Sequence, residues 1–155
     1  MDIDETDKAI LAEIVNNSKT SSKELANKLK IHPNTLLQRI KRLEKNGTIV
    51  KYTTIVDYEQ IGYGLQALIF INVRMEKGWE AQLKPVSRLS EVVSFILLTG
   101  EHDAVAIVRL KNKNDLSNIL RKLQANPVIV KTTTHLILDY YKHSYEFNPL
   151  KDEMP

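Results

Sequence analysis

The sequence predicts an α+β protein in two parts: an N-terminal winged helix-turn-helix and a C-terminal ferredoxin-like βαββαβ domain. Three observations predict it. Residues 1–47 carry three helix-period apolar patterns in quick succession, each with its own start or stop signal. From Leu65 the periodicity changes, and strand-like and helix-like runs follow in the order β-α-β-β-α-β. Positive charge gathers in one place: residues 28–51 hold seven Lys/Arg against one Asp/Glu, although the whole chain of 155 residues has a net charge of only +3.

The first helix starts after Asp4, with Asp7 three residues on to complete a capping-box-like pair. Ile10, Leu11, Ile14 and Val15 fall on one face, and the early acids suit the positive end of the helix dipole. Asn16, Asn17 and Ser18 end it. The second helix opens on Ser21 and Glu24, the S-x-x-E spacing of a capping box, buries Leu25, Ala26 and Leu29, and ends near Lys30. Ile31 and His32 make a tight connection, and Pro33 takes the first helical position, where a missing N–H costs nothing.

The third helix turns Leu36, Ile40 and Leu43 toward a core and is closed by Gly47 as the residue just past its end. Its opposite side carries Asn34, Gln38, Lys41, Arg42 and Lys45, flanked by Thr35 and Arg39. Amides, hydroxyls and cations are the groups that bond base edges and phosphates. Arg39 lies beside the apolar stripe, so it either reaches back to an acid of the first helix or meets phosphate. Leu37 packs on the wing that follows or touches a thymine methyl. The β-branched run Thr48–Val56 reads as an extended, wing-like strand.

In the second half, Leu65–Met75 reads as a strand with Ala67, Ile69, Ile71, Val73 and Met75 on one face and Leu68 and Phe70 on the other. Trp79–Leu89 reads as a helix interrupted by Pro85. Val92–Thr99 and Ala104–Leu110 are strands joined by the hairpin Gly100-Glu101-His102-Asp103. Asn114 is placed to cap a helix holding Leu116, Ile119, Leu120 and Leu123, and Val128–Tyr140 is the fourth strand. In this topology both helices cover one sheet face. The other should be polar if it met water, yet the second and third strands are apolar on both faces. A second subunit's sheet is the cover this implies, giving a two-fold dimer. The expected boundaries are 1–52 for the DNA-binding domain, 53–64 for a linker, 65–141 for the sheet domain and 142–155 for a tail, read as a strap or as disordered.

The ordered set Asp4, Asp7, Ile10, Leu11, Glu24, Leu25, Ala26, Pro33, Thr35, Arg39, Ile40, Leu43, Glu44, Gly47 and Ile49, followed by Val56-Asp57 and Ile61-Gly62-Tyr63, resembles the DNA-binding half and linker of the Lrp/AsnC (feast/famine) transcription regulators. His32 departs from the serine that usually caps the family's third helix, and imidazole is a poorer cap. Residues 65–141 resemble the family's effector-binding and oligomerisation domain. The resemblance implies dimers assembling into tetramers or octamers, with an amino acid held near Gly100, Glu101, His102 and Asp103 and near Thr132 and Thr134 of the run Thr132-Thr133-Thr134. Hydroxyls and hairpin N–H groups suit a carboxylate, and a carboxylate such as Asp103 suits an ammonium.

The expected function is therefore sequence-specific binding of double-stranded DNA by a transcription regulator that a small molecule, an amino acid, modulates. Asn34, Thr35, Gln38 and Arg42 are the expected base contacts. Lys41, Lys45 and Lys51 are the expected phosphate contacts, with Lys28 and Lys30 weaker, while Pro33 and Arg39 complete the DNA-binding set. Two rivals differ in kind: an architectural DNA coater without an effector, and an enzyme like the haem-pathway decarboxylases that share this two-domain shape.

Other chemistries lack their signatures. There are no cysteines, so disulfides and thiolate chemistry are excluded. His32, His102, His135 and His143 have no ligand spacing, no phosphate-binding glycine loop or nucleophile elbow is present, and no cofactor is expected. No apolar run approaches the roughly 18 residues a membrane span needs, and the acidic start is unlike a secretory signal, so a cytoplasmic location is expected.

Overall fold

The computed structural model describes residues 3–151, which form two compact units. One takes the chain up to Ile55 together with the segment from Tyr141 onward; the other is Val56–Tyr140. No helix among the described residues is long and apolar enough to cross a membrane.

The first unit is built on α1 (Glu5–Asn16), α2 (Ser22–Lys28) and α3 (Pro33–Lys45). Local signals set their starts. Asp4 accepts from the Asp7 N–H at 2.8 Å while Asp7 accepts from the Asp4 N–H at 3.2 Å. Ser21 and Glu24 form the same reciprocal box. Before α3, Lys30 turns the chain with a φ of 55°, and His32 serves as cap, its Nδ1 accepting from the Asn34 N–H at 3.2 Å. At the far end Gly47, at φ 79°, adopts the left-handed conformation that stops the helix. Ile10, Leu25, Ala26, Leu36 and Leu43 form the buried core, with Ile40 packed against it.

One departure from the sequence reading lies here, and one open reading is decided. No strand forms at Thr48–Val56, because a strand needs a ladder partner and none faces this run in its unit; instead Tyr52 donates to Glu44 Oε1 at 2.9 Å. The tail, read as a strap or as disordered, lies as a strap on the first unit through its described residues. It makes 3-10 turns at Ser144–Glu146 and Pro149–Lys151, and Asn148 Nδ2 donates to the Ala12 carbonyl of α1 at 3.0 Å.

The second unit is one antiparallel sheet of β1 (Leu65–Val73), β2 (Val92–Leu97), β3 (Ala104–Leu110) and β4 (Ile129–Leu136) in the order β2-β3-β1-β4, with α4 (Trp79–Leu83) and α5 (Lys113–Gln124). This is the ferredoxin-like arrangement. Paired residues share a face, so Ala67, Ile69 and Ile71 lie beside Val108, Ala106 and Ala104. All six are fully buried against Leu83, Val86, Ile119 and Leu123. The other face shows Leu68, Phe70, Ile107 and Ile96, none fully covered within the protomer.

One of the remaining elements breaks where the sequence reading placed a break, and two differ in extent. Pro85 splits the expected second-half helix, leaving α4 and a 3-10 turn at Val86–Arg88. Asn112, not Asn114, caps α5, because its Oδ1 accepts from both the Asn114 and Asp115 N–H groups at 2.8 and 3.2 Å. β4 ends at Leu136, short of the expected Tyr140, and carries an irregularity at Val130, between the residues paired with Val73 and Asn72.

Candidate functional site

One candidate surface is the outward side of α3. The helix can present it because the opposite side is locked: Leu36 and Leu43 have no exposed surface. Pro33, Asn34, Thr35, Gln38, Lys41 and Lys45 are all exposed, as are Leu37 beside them and Lys51 beyond the helix. Among the described residues, Lys41, Lys45 and Lys51 form no ion pair, so their charges face solvent. Lys30 is also exposed, whereas Lys28 is tied to Glu13 at 2.6 Å.

The two arginines of α3 behave differently from those lysines. Arg39 Nη1 donates to Asp4 Oδ2 at 2.6 Å and to Asp7 Oδ1 at 2.8 Å. Of its two readings, the reach back to the first helix is the one realised. The Arg39 guanidinium, helped by the Asp7 N–H, holds the Asp4 carboxyl below its ordinary range; in return the two carboxylates raise Arg39. Arg42, expected on the outward side as a base or near-base contact, is only partly exposed there. Its Nη2 donates to Asp7 Oδ2, and its side chain is 38% exposed. Asp7 is the only buried charged residue described, at 0% exposure, and it takes both guanidiniums. Sequence spacing cannot reveal this network, because it joins residues more than thirty positions apart.

The other candidate region is the end of the sheet where β2 turns into β3. Gly100 sits at φ 115°, a left-handed position that favours glycine. The hairpin is anchored to β1. Asp103 Oδ2 accepts from the Val73 N–H at 2.8 Å, and the Asp103 N–H donates to the Ile71 carbonyl at 3.0 Å. Asn72 Nδ2 donates to the Glu101 carbonyl at 2.7 Å, which leaves Asn72 Oδ1 as acceptor for His102 Nδ1–H at 3.1 Å. The His102 ring lies 4.8 Å from that of Phe70.

The predicted effector residues are only partly brought together. Gly100, Glu101, His102 and Asp103 converge with Asn72 and Phe70, two residues the sequence reading did not single out. Thr132 and Thr134 pair with Ile71 and Ile69 and so lie on the helix-covered face. Thr133 pairs with Phe70 on the opposite face, the one His102 stacks against. His135 joins that aromatic group, its ring 5.6 Å from Phe70.

Residues 3–50 match the family profile described as winged helix-turn-helix DNA-binding, and residues 67–147 match the Lrp/AsnC ligand binding domain. The chain is similar to an uncharacterised HTH-type transcriptional regulator of Pyrococcus horikoshii, at 31% identity over 149 residues, 96% of this chain and 100% of the relative. It is also 31% identical to the HTH-type transcriptional regulator FL11 of that organism, over 96% of this chain and 97% of FL11. Among solved structures, a transcriptional regulator of Neisseria meningitidis in complex with L-methionine superposes with a TM-score of 0.90 at 27% identity, over 99% of this chain and 100% of the other. Escherichia coli AsnC superposes at 0.85 with 26% identity, over 92% and 97%.

Proposed function

The chain belongs to the Lrp/AsnC family of transcriptional regulators, and on that premise we propose that α3 enters the major groove of double-stranded DNA while the sheet unit holds a dimer and reads an amino acid. One observation carries the DNA reading: the exposed side of α3 offers Asn34, Thr35, Gln38, Lys41 and Lys45 with no competing acid paired to the two lysines. Asn34, Thr35 and Gln38 sit in the first turns, from which base edges are reached. Pro33 fixes the entry of the helix. Lys41, Lys45 and Lys51 neutralise phosphates. Arg39 serves by fixing α3 on α1.

The half-exposed apolar sheet face supports the dimer. Leu68, Phe70, Ile96 and Ile107 form an apolar strip that another copy of the same face would cover. Dimers of this kind associate further into tetramers or octamers. A two-fold particle presents two α3 helices to inverted half-sites, so palindromic operators are expected.

The effector is an amino acid held at the Gly100–Asp103 hairpin. Asp103 still has one carboxylate oxygen without a partner among the described residues, suited to an ammonium, and the exposed Gly100-Glu101 backbone suits a carboxylate. The complex of the Neisseria relative makes L-methionine the first ligand to try. Such a ligand changes the assembly only through unequal affinity for two assemblies.

Selection of binding sites from random duplexes by the purified protein tests the reading. Enrichment of a palindromic element supports a regulator; equal recovery of all sequences would leave an architectural coater. Calorimetry with free amino acids at millimolar concentration tests the effector, and silence across the whole set removes it.

A further inference from the structure

Arg42 combines two features on one side chain. Its Nη2 is committed to a carboxylate that water does not reach, and its remaining N–H donors have no partner among the described residues. Arg42 lines one shallow depression with Lys41, Lys45 and Asn46. Asp7 does not need Arg42 merely to be satisfied. It already accepts from Arg39 Nη1 at 2.8 Å and from the Asp4 N–H at 3.2 Å. Arg39, by contrast, is turned inward onto two acids and is the less exposed of the two arginines.

We propose that Asp7, from the core of the helix-turn-helix, is a positioning residue for DNA recognition: it clamps one end of the Arg42 guanidinium so that the other end is held ready for a backbone phosphate next to those met by Lys41 and Lys45. The inference rests on the DNA reading above and adds to it a residue with no access to DNA. A planar guanidinium has the geometry for this double duty, because it can donate to a carboxylate on one edge and to a phosphate oxygen on another. A lysine ammonium is a single point and cannot span both. Holding the side chain in one rotamer before contact removes ordering that would otherwise oppose binding. Arg39 completes the clamp by fixing the second oxygen of Asp7 and is itself held by the Asp4 carboxylate, while Glu44 accepts from Tyr52.

The test is fluorescence anisotropy of the full chain on a duplex selected by the wild-type protein, over a salt series, with folding of each variant checked by circular dichroism. Arg42→Gln should reduce the slope of log K against log salt by about one unit. Folded Asp7→Asn, which removes the charge and keeps the volume, should reduce it by a similar amount, and the double variant should lose little more than either single one. Arg42→Lys keeps the charge but not the fork, and its affinity should fall roughly ten-fold, toward that of Arg42→Gln. This last variant carries the test if Asp7→Asn does not fold. An unchanged slope for Arg42→Gln, wild-type binding by Arg42→Lys, or wild-type slope in folded Asp7→Asn would each overturn the inference. Failure of the wild-type protein to bind any duplex would instead remove the DNA reading on which it depends.

Discussion

Asp4, Glu24 and Glu91 are among the carboxyl groups whose partners favour the charged form in the native state. Arg39 and then the Asp7 N–H hold Asp4 low, the Ser21 hydroxyl and N–H hold Glu24 low, and Lys122 holds Glu91 low against the opposing effect of its partial burial. A carboxyl depressed in the native state binds fewer protons there than in the unfolded chain, so it stabilises the fold above its ordinary range and ceases to as pH falls through its native value. The urea midpoint should therefore hold steady from neutrality down to the carboxylate range, at about pH 4, and fall below it. Asp4→Asn should flatten the part of that acid limb that belongs to the helix-turn-helix unit. An identical limb in the variant would contradict the ion network as described. The Asp4–Arg39 link was partly legible in the sequence, because Arg39 flanks the apolar stripe. That Asp7 is buried and shared with Arg42 was not, since local spacing says nothing of which side chains meet across two helices.

Helix ends show why some elements could be read from the sequence and others could not. A capping box lies within four consecutive residues, so Asp4 with Asp7 and Ser21 with Glu24 declare themselves. The start of α5 has two asparagines two positions apart, and only the backbone decides that Asn112 is the cap. The Thr48–Val56 run has the composition of a strand but no ladder partner in its unit, and composition cannot supply one. Two substitutions test the boundaries of α3. Replacing Gly47 by Ala leaves open space around the new Cβ, so the cost, about 1 kcal/mol, should come from the left-handed backbone alone. His32→Ser should stabilise the helix by a few tenths to about 1 kcal/mol, because a hydroxyl caps better than an imidazole. Urea midpoints measure both, and a Gly47→Ala protein as stable as wild type would contradict the terminus described here.

At the scale of the molecule, the two sheet faces make different demands. On the helix-covered face Ile69 is fully buried, and Ile69→Ala should cost about 3 kcal/mol by leaving a cavity. On the opposite face Ile107 is half-buried in the protomer, so Ile107→Glu should leave a folded chain that sediments as a monomer where the wild type sediments as a dimer or larger. A dimeric Ile107→Glu protein would contradict the assembly proposed here. That face was legible from the double-sided apolar pattern of β2 and β3, whereas the division of Thr132 and Thr134 from Thr133 required the register of β4 on β1. The central claim is that the solvent-facing side of α3 meets the phosphate backbone. It is tested most directly by the salt dependence of Lys41→Ala/Lys45→Ala on a selected operator beside the wild type. Loss of about two units of slope, together with weaker binding to specific and random duplexes alike, is the predicted result; a slope equal to that of the wild type would contradict it.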